Sequence, residues 1–532
     1  MKNINFKNLK FSKLILTPLL AVVLVFGSCT DLIELDPYNQ ISETTAFSTP
    51  DLVELSVIGM YQAAQRGFFN GADFRGYPFG AAFVQQGDAR GEDAINLQAF
   101  YRFTYEGTYD PTTANNVFYW NDTYRLINRT NIVIDGVRKA ATDNIITNAK
   151  ALQYEGEARI LRAAAYHELL VMFARPYKDT NNASHVGVPY HDVPFTTQAA
   201  IDEGFAKGRE TVAFIYSKIL EDLNFAESNL PGKSGWAGNT KITRGTKGAA
   251  IAYKVRIYQH MWDMNNVITE GLKLIALGEY ALGAEPWSAF ANNYSNNEYI
   301  YAMENSATNN PGVNAALASQ YKRRQLVAIS PIVWRNAYWL EDDKRRKEGD
   351  MVLTRKNASG VVTGIFTEKY KDDTNYTDAS PMMRYAEVLL NIAEAYARNN
   401  NVTEGLKYLN MVRDRALANK LTQSYTAANF ADNKELLKAI LAERRIELNM
   451  EGRRWPDISR LQHCPHFPIS GIPAKVANAD PVAAGLYNLG TEYSGPYGVQ
   501  AVAYTNFKFV WPIPLAELNA NPTLATQQNP GY

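Results

Sequence analysis

Two stretches of the chain combine aromatic rings with side chains that exchange hydrogen bonds, which is the chemistry needed to bind a sugar. Residues 334–346 (WRNAYWLEDDKRR) are one stretch and residues 68–100 are the other. A sugar ring packs its apolar face on a flat aromatic group, and its polar rim needs amide, carboxylate or guanidinium partners. We predict ligand contacts at Tyr77, Phe79, Arg90, Trp287, Trp334, Tyr338 and Trp339. The alternative is that these side chains pack their loops onto the rest of the fold.

Other residues that could do chemistry lack the spacing of a known catalytic motif. His167 and Glu168 are not followed by the second histidine of a zinc-protease helix, so we expect a packed or surface histidine. His463, Cys464 and His466 could ligate a metal, but a loop with two prolines and no fourth partner nearby is the better interpretation. The chain has no Walker-type phosphate loop and no Gly-x-Ser-x-Gly elbow. Two carboxylates at a set separation suffice for a glycosidase, and the sequence cannot measure that separation.

The first residues resemble a bacterial lipoprotein signal that ends at Cys29. Four lysines precede an apolar run over residues 14–26, and Gly27 and Ser28 stand directly before the cysteine. A membrane-spanning helix needs about 20 apolar residues, so this shorter run indicates a signal peptide. We expect residues 1–28 to be removed, Cys29 to be lipidated, and residues 29–50 to form a tether. Acyl chains on one cysteine can hold a soluble body on a membrane.

The composition excludes nucleic acid as a partner and limits disulfide bonding. The chain has 54 basic and 54 acidic residues, and loss of four signal lysines leaves the remainder slightly acidic. A nucleic-acid-binding protein would need a basic face. Cys29 and Cys464 are the two cysteines, so acylation of Cys29 leaves no pair for an intrachain disulfide. The 32 Tyr, 23 Phe and 8 Trp suit a polar, uncharged ligand such as a sugar, although they also suit an aromatic core.

Helical periodicity dominates the chain from residue 51 onward. Apolar residues recur at spacings of three and four in nine segments, and small residues such as Ala163–Ala165 mark where paired helices would cross. We therefore predict a mostly α fold in which degenerate tetratricopeptide-type helix pairs form a scaffold. Long irregular insertions separate the helices at residues 67–115, 176–209, 278–381 and 456–532. The predicted helices span residues 51–65, 116–139, 148–173, 210–230, 247–263, 266–277, 382–398, 402–418 and 434–450.

Five segments resemble the SusD/RagB family of Bacteroidetes surface lipoproteins and keep the family's order. They are residues 120–133 (WNDTYRLINRTNIV), 154–166 (YEGEARILRAAAY), 383–397 (MRYAEVLLNIAEAYA), 440–460 (ILAERRIELNMEGRRWPDISR) and 511–532 (WPIPLAELNANPTLATQQNPGY). Their charged residues can pair with one another, because Arg forks suit partly buried carboxylates. We assign these motifs to the scaffold, and we expect Gly452 to end its helix in a left-handed cap.

The resemblance implies a SusD-like fold over residues 51–532, with ligand-binding insertions near 67–115 and 278–381. It implies a non-catalytic protein, anchored on the outer face of the outer membrane, that binds oligosaccharide and works with a SusC-like TonB-dependent β-barrel transporter. No cofactor is implied, and a calcium ion bracing a loop stays open. A peptide or glycopeptide ligand and a surface glycoside hydrolase are the alternatives. The family's charges near Asp343 and Arg345 look structural, so we exclude them from the ligand site.

Overall fold

The computed structural model describes residues 45–67, 74–291, 293, 295–479 and 483–532. Cys29, the predicted signal and most of the predicted tether lie outside these residues.

The fold is mostly α, as predicted. The helices are α1 Pro50–Arg66, α2 Ala81–Arg90, α3 Arg102–Glu106, α4 Ala114–Thr142, α5 Asn148–Phe173, α6 Gln198–Ala206, α7 Val212–Asn229, α8 Thr240–Thr243, α9 Lys247–Met261, α10 Met264–Ala276, α11 Pro331–Trp334, α12 Tyr385–Arg398, α13 Val402–Arg413, α14 Lys420–Gln423, α15 Asn433–Glu447, α16 Arg454–Arg460, α17 Leu515–Ala520 and α18 Pro522–Ala525.

The long helices pack in consecutive pairs around an alanine-rich centre. Helix α5 packs against both α4 and α7, while α9 packs on α10 and α12 on α13. Most of these helices begin at a threonine or aspartate whose side chain accepts a backbone N–H of the first turn, as Thr147 does for α5. Ala163, Ala164 and Ala165 are fully buried in α5, where their small side chains let neighbouring helices approach closely. None of the helices in the described ranges is long and apolar enough to cross a membrane.

Three small antiparallel sheets lie outside the helix pairs. The strands are β1 Ala94–Asn96, β2 Tyr299–Met303, β3 Val327–Ile329, β4 Val352–Lys356, β5 Val362–Thr367 and β6 Ser380–Arg384. They pair as β1 with β3, β2 with β6 and β4 with β5. The prediction of a helix from residue 382 was wrong for its first three positions, because 382–384 belong to β6. Register places Ala94 opposite Ile329, so β1 and β3 connect the first and third insertions.

Helix α2 corrects the prediction that residues 67–115 are irregular. All ten of its residues are buried, including Gln85, Gln86 and Asp88. The helix packs against a loop near the chain's other end, and a Cβ on Gly87 would lie 2.2 Å from the backbone oxygen of Gly452. Gly452 has a φ of +72°, but α15 already ends at Glu447, so Gly452 shapes the following loop and does not cap the helix.

The charged motif around α15 forms a buried ionic network, which explains its role in the scaffold. Glu447 accepts hydrogen bonds from Arg345 at 3.1 Å, Arg384 at 3.0 Å and Arg415 at 2.7 Å. Burial alone would raise the pKa of Glu447, but the guanidinium groups of Arg415, Arg384 and Arg345 hold it well below its usual value. Arg345 also pairs with Asp343 at 2.7 Å. The charges at Asp343 and Arg345 are therefore buried within the fold, away from any ligand surface.

Candidate functional site

The structure brings the first and third insertions together along one edge. Beyond the β1–β3 pair, Leu97 donates its backbone N–H to the Leu326 oxygen at 2.9 Å. The Gln98 side chain donates to Gln320 Oε1, also at 2.9 Å. These contacts hold residues 97–98 of the first insertion next to residues 320–326 of the third. Side chains from the two insertions therefore lie side by side on one surface.

Aromatic, amide and guanidinium groups adjoin on this surface. The Arg75 guanidinium carbon lies 4.0 Å from the centre of the Phe100 ring, and Arg75 Nη1 donates to the Asn314 backbone oxygen at 3.4 Å. Arg324 Nη1 donates to Asn314 Oδ1 at 3.3 Å. Asn314 and Arg324 are exposed, while Arg75 and Phe100 are half-buried. We call this set the 75–324 surface: Arg75, Gln98, Phe100, Asn314 and Arg324. Gln320 is fully buried and supports the set from within the fold.

A turn of π-helix positions the third insertion's contribution. Residues Ser319–Arg323 form this turn, and the backbone N–H of Arg324 donates to the Ser319 oxygen at 2.8 Å. The Ser319 hydroxyl and the Gln320 amide both donate to the Val313 oxygen, at 2.6 Å and 3.2 Å. These bonds fix the loop before the turn, so Asn314 and Arg324 keep their positions without a ligand. Preorganised polar groups lose less entropy when a ligand binds.

The 75–324 surface can bind the two faces of a carbohydrate. The Arg75 guanidinium lies over one face of the half-buried Phe100 ring, and the exposed part of that ring offers apolar area. The amide and guanidinium groups offer donors and acceptors for hydroxyls. None of these five residues is a histidine, cysteine, aspartate or glutamate, so the surface itself holds no general acid or base. Its composition suits recognition of a polar ligand.

Three residues predicted from the first insertion lie in the core instead. Tyr77 and Phe79 are 0% exposed, and Arg90 is 1% exposed. Arg90 lies 3.7 Å from the ring of Trp455 and donates to the Phe509 oxygen at 2.6 Å. These three side chains leave no accessible face for a ligand. Their assignment to the ligand site was therefore wrong, and they belong to the scaffold.

The predicted tryptophans of the third insertion form a compact cluster of their own. The Trp334 and Trp339 rings meet edge to face at 5.2 Å, and the Arg346 guanidinium lies 4.2 Å and 4.4 Å from them. Both rings are nearly buried, at 7% and 5% exposed. This cluster braces the segment that follows β3, and the structure thereby corrects the assignment of Trp334 and Trp339 to ligand contact.

Trp287 and Tyr338 are half-buried and keep part of their rings accessible. The Lys347 ammonium lies 4.5 Å from the Trp287 ring, and the Lys438 ammonium lies 5.9 Å from that of Tyr338. Ligand contact at these two residues stays a prediction.

The histidine and cysteine residues singled out in the sequence have structural neighbours. His463 Nε2 lies 3.2 Å from the Tyr504 hydroxyl, and buried Cys464 lies 3.5 Å from Arg398 Nη1. His167 is buried against His260, with ring centres 4.5 Å apart. Over the part of the chain that the structure describes, no three His, Cys, Asp or Glu residues are grouped so as to hold a metal ion.

Sequence reasoning missed most of the 75–324 surface. Arg75, Gln98 and Phe100 stand in the predicted stretch 68–100 but were not among the predicted contacts, and Asn314 and Arg324 belong to no motif. Their only sequence signal is their place in two insertions that the fold brings together.

Comparison with known proteins identifies the fold and the family. A family model described as the SusD family matches residues 334–532, and one described as starch-binding associating with outer membrane matches residues 32–259. The SusD-like protein P38 of Formosa agariphila is 24% identical over 522 aligned positions, covering 87% of this chain and 94% of that protein. A SusD-like protein of Bacteroides ovatus is 23% identical, with 84% and 82% covered.

Solved structures agree with these matches. A SusD superfamily protein from Bacteroides fragilis superposes with a TM-score of 0.73 at 25% identity, covering 90% of this chain and 99% of the other. A SusD-like carbohydrate binding protein from Bacteroides vulgatus has the same fold, with a TM-score of 0.71 at 20% identity and coverage of 90% and 98%. The two family models together cover most of the sequence, and the fold agrees over nearly the whole chain. This chain belongs to the SusD family.

Proposed function

We propose that this protein captures oligosaccharide at the cell surface and delivers it to a SusC-like TonB-dependent transporter in the outer membrane. The observation that carries the proposal is the 75–324 surface, where Phe100, Arg75, Asn314 and Arg324 adjoin on a SusD fold. The family match supports the carbohydrate ligand and the outer-membrane association. The resemblance noted in the sequence supports the transporter partner.

The chemistry of this surface supports reversible binding of a sugar. A sugar that packs on Phe100 removes apolar area from water, while its hydroxyls exchange hydrogen bonds with water for bonds to Asn314 and Arg324. Such exchanges each contribute only about 0.5–1.5 kcal/mol net. The affinity for one sugar unit is therefore modest, which allows release to a transporter, and contact with several units raises it.

We further propose that lipidated Cys29 anchors the protein. Exchange of Cys29 for Ala is expected to move the protein from the outer-membrane fraction to the soluble fraction, because the lipid supplies the membrane affinity. Exchange of Cys464 for Ala, at a buried thiol, is the matched control. An outer-membrane fraction that retains the Cys29 variant in full would contradict the anchor.

Calorimetric titration tests the ligand class. The purified chain from residue 30 onward is titrated with plant, host and microbial oligosaccharides, and each mixture is then examined for cleavage. Saturable heat with intact ligand is expected. Cleaved ligand would favour a glycoside hydrolase, and heat with peptides or glycopeptides alone would replace the glycan assignment.

A further inference from the structure

A cleft between α1 and α4 lies beside the 75–324 surface. It has a volume of about 550 Å³ and includes the end of α1, Phe74 and one face of α4. The backbone joins the two sites, since Phe74 lines the cleft and the next residue, Arg75, lies on the 75–324 surface. A bound chain of several sugar units could therefore contact both.

Three arginines and one carboxylate line this cleft. Arg66 comes from α1, and Arg125 and Arg129 come from α4. The carboxylate is that of buried Asp122, which pairs with Arg125 at 3.2 Å. Arg66 and Arg129 make no ion pair with any residue that the structure describes, so positive charge exceeds negative charge in the cleft.

The Arg66 guanidinium is held in place but lacks a polar partner. Its central carbon lies 3.3 Å from the centre of the Phe74 ring, and its Nε is buried without a hydrogen-bond partner among the described residues. Burial lowers the pKa of Arg66, and no carboxylate among the described residues offsets this effect. A buried donor without a partner is costly, and a charged oxygen acceptor would remove that cost.

The cleft offers an anion more than one kind of contact. Arg129 is exposed on the face of α4, where its guanidinium can reach a ligand without breaking an existing bond. Gln62 is also exposed and adds amide hydrogen-bonding capacity at the rim. Arginine forks bind carboxylate and sulfate oxygens in pairs, which gives them both charge and direction.

From these contacts we infer that the ligand is an acidic glycan whose carboxylate or sulfate group binds between Arg66 and Arg129. The inference rests on the proposed glycan-binding function and narrows it to a class of ligand. The neutral sugar units bind the 75–324 surface, and the acidic group occupies the neighbouring cleft. Arg125 stays paired with Asp122, so the carboxylate in the cleft does not repel the ligand.

Matched acidic and neutral oligosaccharides test this inference by calorimetry on the chain from residue 30 onward. One arm uses uronic-acid oligosaccharides and the same chains with reduced carboxyl groups. The other uses sulfated oligosaccharides and their desulfated forms. In at least one arm the acidic form is expected to bind on the order of tenfold or more tightly than its neutral form, with an affinity that falls as salt rises. The arm that responds identifies the acidic group.

Two variants connect that preference to the cleft. The double exchange R66Q/R129Q is expected to abolish the preference for the acidic form, and R129Q alone to reduce it. K139Q is the control, because Lys139 is an exposed cation on the same helix that pairs with Asp143. Thermal melts verify folding, and R129Q changes an exposed side chain with no partner in the described structure.

Two outcomes would overturn the inference alone, and a third would contradict the proposed function as well. Equal binding of acidic and neutral forms would contradict it while leaving glycan binding intact. If R66Q/R129Q kept the full preference for the acidic over the neutral oligosaccharide, the acidic group would bind outside this cleft. Absence of binding by any oligosaccharide would contradict the proposed function together with this inference.

Discussion

Arg90 shows how a residue type suited to ligand recognition can serve the core instead. Its guanidinium lies 3.7 Å from the Trp455 ring and 5.0 Å from the Trp511 ring, and donates to backbone oxygens. Guanidinium groups stack on aromatic faces in cores and in binding sites alike. Sequence alone could not separate these two uses, because burial depends on contacts with residues some 360 or more positions away, roughly two thirds of the chain.

Replacement of Arg90 by Ala is expected to lower the free energy of unfolding by about 3 kcal/mol, because it removes packing between aromatic rings and leaves buried carbonyls unpaired. Chemical denaturation measures this change. Replacement of Arg102 by Ala is the control, since Arg102 is exposed and, among the described residues, forms an ion pair with Glu106 alone, at 3.0 Å. In this control the free energy of unfolding is expected to fall by less than about 1 kcal/mol. An R90A protein of unchanged stability that lost glycan binding would restore Arg90 to the ligand site.

The Trp334 and Trp339 cluster illustrates the same limit for aromatic residues. Both tryptophans stand in one stretch of the sequence, but that spacing could not show that their rings meet or that Arg346 lies against both. Arg346 also donates to the backbone oxygens of both residues. The ligand assignment failed because the two rings and the Arg346 guanidinium pack against one another, a fact that spacing does not reveal.

Among the elements, long helices were predictable and a short buried helix was not. The prediction of a helix over residues 148–173 is confirmed at both ends by α5. Helix α2 escaped prediction because it is short and buried all round, so its sequence has no polar face to mark a helical period. The β1–β3 pair was also unpredictable, since three-residue strands carry little pattern of their own.

Helix α2 supplies a test of close packing between distant elements. Replacement of Gly87 by Ala is expected to destabilise the protein by about 1–3 kcal/mol, because the new Cβ would lie 2.2 Å from the Gly452 oxygen. Thermal and chemical unfolding measure the change. Replacement of Gly59 by Ala in α1 is the matched control, because its Cβ would meet nothing within 4 Å. This control is expected to stabilise the helix by about 0.5–1 kcal/mol. A Gly87 variant as stable as the Gly59 variant would contradict the close approach.

For the whole molecule, the resemblance to the SusD family predicted more of the architecture than any local pattern did. Helix periodicity predicted the scaffold, but the meeting of residues 67–115 with 278–381 came from the family likeness. The structure joins these insertions through Gln98 and Gln320 and through β1 and β3. Individual ligand residues could not be predicted, because insertions have no shared motif and their exposure follows from the folded chain.

The 75–324 surface is the central claim at this scale, and loss of binding in a double variant tests it most directly. Glycan that gives saturable heat with the unaltered chain is titrated into F100A/R324A, with F205A as the control at an exposed ring on α6. Because stacking and a charge-assisted hydrogen bond are both lost, affinity is expected to fall by about tenfold or more, with the melting temperature nearly unchanged. The F205A protein should bind as the unaltered chain does. Unchanged affinity in the folded F100A/R324A protein would contradict the assignment of glycan binding to this surface.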